Sequence, residues 1–302
     1  MKPFNSTYIK NAFYGPGKKG APASVNLVDD IDSAESIDNM QQYTRELNLP
    51  ISCFIKKINE KNKFFIRYFI KDNEEPICGH GTLVTTQFLI DNEYISKDAN
   101  QIEYIPLMTP DKPIISYIDN NLISIHIKTI KPTNIDFDSE IGKKIIKSIS
   151  TSNNSNIKKY KYKSIVEGEL DYTVELDKLE NNMTSLEIIK SIKPDFDLIE
   201  TIQLHTGKLC RGIDVLIKNY EKKNEEDEDF ISRIFLPLGA DELFKEDPAC
   251  GSGSSYIARY LLEKYPELKG KKLKIYQASN DGAIIWVKNE DEDTIKVSGL
   301  VN

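Results

Sequence analysis

The stretch Ile77-Cys78-Gly79-His80-Gly81-Thr82 returns in altered form as Ala249-Cys250-Gly251-Ser252-Gly253-Ser254, and each copy leads into an apolar-periodic segment. Two of only four cysteines therefore stand directly before a small-residue turn that opens a helix. The first N–H groups of a helix lack partners inside it, and the dipole is positive at that end, so a cysteine there is predicted to have a lowered pKa. One such site can arise by chance. Two, in opposite halves of one chain, predict thiols that face each other across a cleft, equipped to take a proton from one face of a carbon and return it to the other.

Each copy is preceded by an Arg-x-Phe strand and an acidic loop, as Arg67-Tyr68-Phe69 ahead of Cys78 and Arg233-Ile234-Phe235 ahead of Cys250. Around the first copy, strand signals cover Ser6 to Phe13, Ala23 to Leu27, Ser52 to Lys57 and Lys63 to Ile70, and then Gln101 to Met108, Ile114 to Ile118 and Leu122 to Ile127. Helical signals cover Asp38 to Leu47 and Thr82 to Ile90. Around the second copy, strands are predicted at Tyr172 to Leu176, Thr201 to Leu204, Ile213 to Ile217 and Phe230 to Leu236, and at Lys274 to Ala278, Ala283 to Val287 and Thr294 to Leu300. Helices are expected at Ser185 to Ile192 and after Cys250, the latter stopped by Pro266 and Gly270. The Ser/Asn-rich run Ser148 to Lys158 and the charged run Glu221 to Asp229 read as loops, and Lys158 to Lys163 as a solvated loop or strand edge. The chain is thus expected to be α+β, with two similar β-rich domains, each around a central helix whose N-terminus points into a shared cleft. The polar stretch Thr133 to Glu140 places the crossover, giving domains 1–131 and 132–302, with the C-terminal strand near 285–302 free to return to the first.

At 302 residues with 39% apolar composition, the chain can bury a sizeable core. A formal net charge of -7 argues against nucleic acid or an acidic membrane as partner. There is no secretory leader pattern and no apolar run of membrane-spanning length, so a cytoplasmic protein is expected. Four widely spaced cysteines and three histidines give neither a disulfide framework nor a zinc site, and no metal is expected. The sequence leaves a homodimer open.

These residues resemble the diaminopimelate-epimerase fold superfamily, and within it the PhzF-type phenazine-biosynthesis isomerase family. The first family motif, an R-x-F strand followed by E-x-P-x-[CA]-G-H-[AP]-T, is matched by Arg67, Phe69, Glu74, Pro76, Cys78, Gly79, His80 and Thr82, with Gly81 in the small-residue position. The second, E-D-P-A-T-G-S, is matched by Glu246-Asp247-Pro248-Ala249-Cys250-Gly251-Ser252, and the turn G-N-P-A-A-V is resembled by Gly20-Ala21-Pro22-Ala23-Ser24-Val25, with Ala21 replacing the turn asparagine. The chain departs from the pattern where typical members carry a proton-shuttling glutamate, in N-L-S-E-T; here Asn48-Leu49-Pro50-Ile51-Ser52 puts Ile51 in that place. Cys250 replaces the usual threonine, which restores the two-cysteine pattern of amino-acid epimerases and proline racemases in the same superfamily. The Glu-Arg that those epimerases carry ahead of the second cysteine is missing.

The resemblance implies a cofactor-independent isomerase acting on a small carboxylate-bearing substrate. In a racemase or epimerase of an amino or imino acid, Cys78 and Cys250 would be the acid/base pair, and Gly79, Gly81, Thr82, Gly251, Ser252 and Gly253 would hold the carboxylate at the two helix starts. The glycines would allow close backbone approach and unusual dihedrals. Alternatively, a PhzF-like isomerase would move a proton in a cyclic diene acid through Asp247 and His80. A third option is a binding protein that has lost catalysis, for which Ile51 is the main support. Cys53 and Cys210 read as core residues, and His126 and His205 as residues of strand-like segments.

Overall fold

The structure, a computed structural model, describes residues 8–96, 98–150, 160–179, 182–237 and 245–302. They divide into two compact units: one runs to His126 and takes in Ser298–Asn302, and the other comprises Ile127–Val297.

In the first unit, residue alternation builds β1 (Tyr8–Tyr14), β2 (Ala21–Leu27), β3 (Ser52–Lys57) and β4 (Lys63–Phe69), with a short β5 (Glu74–Glu75), then β6 (Gln101–Pro106), β7 (Ile114–Asp119) and β8 (Leu122–Lys128). They pair in the order β1-β2-β3-β4-β6-β7-β8, and the end of β16 (Thr294–Val301) pairs with β1 through Ala12↔Val301, closing a barrel. Gly20, at φ +76°, makes the tight approach of β2 to β1, since a Cβ there would lie 2.1 Å from the Ala12 carbonyl oxygen. Helix α1 (Ala34–Leu47) crosses over between β2 and β3. Ser33 caps it by accepting from Ser36 N, which starts the helix four residues before the predicted Asp38, and Asn48 ends it in the left-handed region. Met40 and Tyr43 bury against Ile31, Phe54 and Phe69. Helix α2 (Gly79–Asp91) is buried along its length from Gly81 to Leu89 except at Gln87 and packs against β1, β2, β3 and β7. A helix apolar on all sides belongs inside, and burying a side chain such as Leu83 contributes about 1.5–3 kcal/mol.

The second unit holds β9 (Thr133–Ile135), α3 (Glu140–Ile149), β10 (Lys161–Glu167), β11 (Asp171–Asp177), α4 (Ser185–Lys190), α5 (Phe196–Glu200), β12 (Gly212–Lys218), β13 (Phe230–Phe235), α6 (Gly251–Lys264), β14 (Lys272–Gln277) and β15 (Ala283–Asn289). Tyr172, Val174, Leu176, Ile213, Val215 and Ile217 face one way and pack with Ile145, Ile149, Ile188 and Ile199 of the short helices. The alternate residues face α6, because side chains on a strand point to opposite faces in turn.

The pairing senses repeat. From β1 through β2, β3, β4, β6 and β7 they run antiparallel, parallel, antiparallel, parallel, antiparallel. The series from β10 to β15 is the same. The parallel steps need crossovers, filled by α1 and α2 in the first unit and by α4 with α5 and α6 in the second.

Several expectations are corrected. Thr201 to Leu204 is not a strand but a turn after α5, where Ile202 and Leu204 both reach the core and only Gln203 makes an isolated bridge to Leu209. His205 accordingly lies in a turn. Thr133 to Glu140 is more than a polar connector, since it carries β9 and Ser139, which caps α3 by accepting from Gly142 N. Lys161 to Lys163 open β10. Residues 151–159, with most of the Ser148–Lys158 loop, and 238–244, with much of the acidic loop before Cys250, lie outside the described residues, as does Ser6. No helix among the described residues is long and apolar enough to cross a membrane.

Candidate active site

In both copies the arginine of Arg-x-Phe anchors the glutamate four residues ahead of the cysteine. Arg67 Nη1 donates to both carboxylate oxygens of Glu74, at 2.9 and 2.8 Å, and its Nε donates to the Ile31 carbonyl at 2.7 Å. Arg233 donates from Nε and Nη2 to the two Glu246 oxygens, each at 2.7 Å, and from Nη1 to the Ile192 carbonyl at 2.8 Å. The phenylalanines match as well, Phe69 pairing with Glu74 and Phe235 bridging to Glu246. A two-pronged arginine–carboxylate contact fixes direction as well as distance. The loop that delivers each cysteine is therefore tied to the strand behind it.

Cys78 is the N-cap of α2 and is partly exposed. Its Sγ lies 3.4 Å from His80 Nδ1. Burial pushes the His80 imidazole down to about 4, against the opposing effect of the Pro22 backbone, so it is neutral at neutral pH. Thr82 is turned inward: its hydroxyl donates to the Cys78 carbonyl at 2.8 Å and so accepts from Tyr68 Oη at 2.7 Å. Thr82 holds the helix start together rather than offering its hydroxyl outward. Gly81 is a packing requirement too, because a Cβ there would stand 2.7 Å from Cys53 Sγ and 3.4 Å from both Cys78 Sγ and Ile51 Cγ2. Ile51, 1% exposed, thus sits beside the same helix turn as the Cys78 thiol. Cys53 is fully buried, and burial raises its thiol to about 12.

Cys250 is the N-cap of α6 and is buried, 5% exposed. Its Sγ accepts from Gly253 N at 3.3 Å and lies 3.5 Å from Ser252 Oγ, while its own N–H donates to Gln277 Oε1 at 2.8 Å. The expected lowering of this thiol is reversed. Burial, with the Asp247 and Asp214 carboxyls, pushes Cys250 well above the ordinary thiol range, against the opposing pull of Arg211. Asp247 accepts from Ala249 N at 2.8 Å, shaping the turn into α6, and burial raises its carboxyl.

None of Gly79, Gly81, Gly251 and Gly253 takes a positive φ, so unusual dihedrals are not their reason for being glycine. At Gly253 the reason is contact, since a Cβ would meet Ile234 Cδ1 at 2.7 Å and Asp214 Oδ1 at 3.0 Å.

Sequence reasoning missed Arg211 and Asp171. Arg211 Nε donates to Asp171 Oδ1 at 2.9 Å, Nη2 donates to Oδ2, and Nη1 donates to Ser252 Oγ at 2.9 Å. A cation is thereby held at the first turn of α6 although the epimerase Glu-Arg pair is missing. Only the adjacency Cys210-Arg211-Gly212 marked it, and Cys210 itself is a buried core thiol bonded to the Gly212 carbonyl. His205, expected in a strand-like segment, pairs with Glu167 at 2.5 Å.

A family model described as phenazine biosynthesis-like protein matches residues 11–299. An uncharacterized isomerase of Halalkalibacterium halodurans is 27% identical over 283 residues, which is 93% of this chain and 89% of that protein. Among solved structures, a PhzF-family phenazine biosynthesis protein from Enterococcus faecalis superposes with a TM-score of 0.74 at 22% identity, covering 98% of this chain and 95% of that one. A probable proline racemase from Agrobacterium radiobacter shares the fold more distantly, with a TM-score of 0.55 at 8% identity over 98% and 90% of the two chains.

Proposed function

Because the chain belongs to the phenazine biosynthesis-like family, we propose that it is a cofactor-independent isomerase that moves a proton on a small carboxylate-bearing substrate, racemising or epimerising an amino or imino acid with Cys78 and Cys250 as its acid/base pair. The observation that carries this is the matched construction of the two cysteines, each the N-cap of the helix that follows an arginine-anchored glutamate. The Halalkalibacterium relative is itself named an isomerase. In the proposed reaction, Cys78 in its thiolate form is the base, and the neutral His80, with Nδ1 3.4 Å from the Cys78 Sγ, orients it. The N–H groups at the starts of α2 and α6 stabilise the substrate carboxylate as charge builds on it. Cys250, held as a thiol, returns a proton.

A PhzF-like proton shift in a cyclic diene acid is the second reading. It is favoured by one observation, the Asp247 carboxyl, which burial raises above the ordinary carboxylate range and so readies to hold a proton that it can give up.

Incubation of the protein with a panel of single-enantiomer amino and imino acids and of cyclic diene acids in heavy water tests both. Deuterium at the α-carbon with loss of optical purity is expected for the two-thiol reaction. Label confined to a rearranged diene acid would replace it with the second, and no label in any compound would reject both.

A further inference from the structure

The face of the second unit that looks toward α6 carries three carboxyl groups with no exposed surface: Asp171 and Glu175 on β11, and Asp214 on β12. Asp171 is gripped by Arg211, and Glu175 by Lys264, Tyr260 and Tyr265. Asp214 has no partner for either oxygen. Its neighbours in β12 are Ile213 and Val215, and an aliphatic residue would continue the strand without the cost of burying an unsatisfied polar group.

The duplicated pairing shows where this carboxyl stands. In the first unit Ser52 is opposite Phe69 and Cys53 opposite Tyr68; in the second Ile213 is opposite Phe235 and Asp214 opposite Ile234. Asp214 therefore occupies the position that Cys53 holds in the first unit. Both positions lie against the third helix residue after the capping cysteine. A Cβ on Gly81 would stand 2.7 Å from Cys53 Sγ and 3.4 Å from Cys78 Sγ, and one on Gly253 would stand 3.0 Å from Asp214 Oδ1 and 3.3 Å from Cys250 Sγ. One helix start thus rests on an uncharged buried thiol and the other on a carboxyl.

We propose that Asp214 is a positioning residue for Cys250, an unpaired carboxyl beneath the start of α6 that helps make this cysteine the proton donor of the pair. The role of donor rests on the isomerase reading; the coupling of Asp214 to Cys250 stands without it. The charged and titratable groups around the two are Asp171 from β11, Arg211 and Cys210 ahead of β12, Asp247 ahead of α6, and Tyr256 on α6. The residues of β13 and β14 named on this side, Ser232, Ile234 and Gln277, are uncharged. Arg211 is held by Asp171 and makes no hydrogen bond to Asp214, so its charge offsets the burial of Asp214 only in part. A carboxyl and a thiol sharing one buried space each make ionisation of the other harder.

The test needs no substrate. The alkylation rate of Cys250 by iodoacetamide is followed by peptide mass spectrometry across pH in the full-length protein and in its Asp214→Asn and Asp214→Val variants, with each rate scaled to its high-pH plateau. In the unmodified protein the midpoint is expected above the ordinary thiol value of about 8.5. Both variants should move it down by about one pH unit, which is about tenfold faster labelling at pH 7, and both should melt at higher temperature. A Cys250 profile that stays in place in both variants would overturn the proposal even if melting temperature rises, because relief of a buried carboxyl alone gives only the second effect. A shifted profile in a protein that exchanges no substrate proton would keep the coupling and reject the isomerase reading instead.

Discussion

Arg233 and Glu246 meet in a two-pronged ion pair, 12% and 18% exposed at the side chain, four residues ahead of Cys250. Arg67 and Glu74 pair at the same place ahead of Cys78, 12% and 17% exposed, with Arg67 Nη1 reaching both carboxylate oxygens. Opening such a pair leaves a shielded charge without its partner. Glu246→Gln and Arg67→Met are each expected to cost about 3 kcal/mol, read as a lower urea midpoint with unchanged slope. Arg233→Lys should recover only part of the loss, because an ammonium cannot make both contacts at once. Full stability in Glu246→Gln would show that the pair only decorates the loop.

The strands on either side of these arginines were legible because one face of each is apolar. Ser52–Lys57 was bounded correctly from its residues, and Lys63 to Ile70 to within one residue of Lys63–Phe69. Helix α3 was not, since its N-cap Ser139 sits in a polar run that reads as connector, although Ile141, Ile145 and Ile149 have the helical spacing. The strand expected at Thr201 to Leu204 failed for the opposite reason: Ile202 and Leu204 alternate because a turn drops both into one core. The cysteines, the arginines and the glycines of the site were found by their repetition. What surrounds Cys250 was found only in part: Asp247 came from the second motif, but Asp171 and Asp214 did not. They are far apart in sequence, and a single acid in an apolar strand looks like any residue of a solvated face until β11, β12 and α6 are brought together.

Gly81 and Gly253 are expected to resist even a methyl group. Gly253→Ala would push on Ile234 Cδ1 and Asp214 Oδ1, and Gly81→Ala on Cys53 Sγ. Overpacking of this kind costs about 1–3 kcal/mol. Thermal unfolding of the two variants checks it. Cys53→Ala should rescue Gly81→Ala and leave Gly253→Ala as it was, since only the first clash involves that sulfur.

Stability should depend on pH in opposite senses through two groups. His80 is held below its ordinary value of about 6.5, at about 4, so the unfolded chain takes up a proton first as pH falls; its contribution is full above about 6.5 and is lost on acidification toward 4. The Asp214 carboxyl is raised above its ordinary range, so the unfolded chain releases the proton first; that contribution is full below about 3.9 and declines as pH rises. His80→Asn should therefore flatten the acid side of a melting-temperature profile. In Asp214→Asn, the gain over the unmodified protein should be small at pH 4 and larger at pH 7. A gain that does not change with pH would mean that Asp214 ionises normally in the folded protein.

The cysteine variants separate the two chemistries. With thiols as acid and base, Cys78→Ala and Cys250→Ala should each lose racemisation by at least about a hundredfold, the usual scale for removing a general acid or base. Asp247→Asn should retain turnover more nearly, because its carboxylate then only shapes the turn through Ala249 N and the amide oxygen can still accept that bond. In heavy water, single-enantiomer substrate should acquire label mainly in the product, since the returning proton comes from the other thiol after exchange with solvent. If Asp247 and His80 move the proton, the ranking inverts: the Cys78→Ala, Cys250→Ala double variant keeps most activity, and Asp247→Asn, with a neutral amide that cannot accept a proton, loses it. Turnover in the double variant would end the two-thiol mechanism even though both cysteines cap their helices.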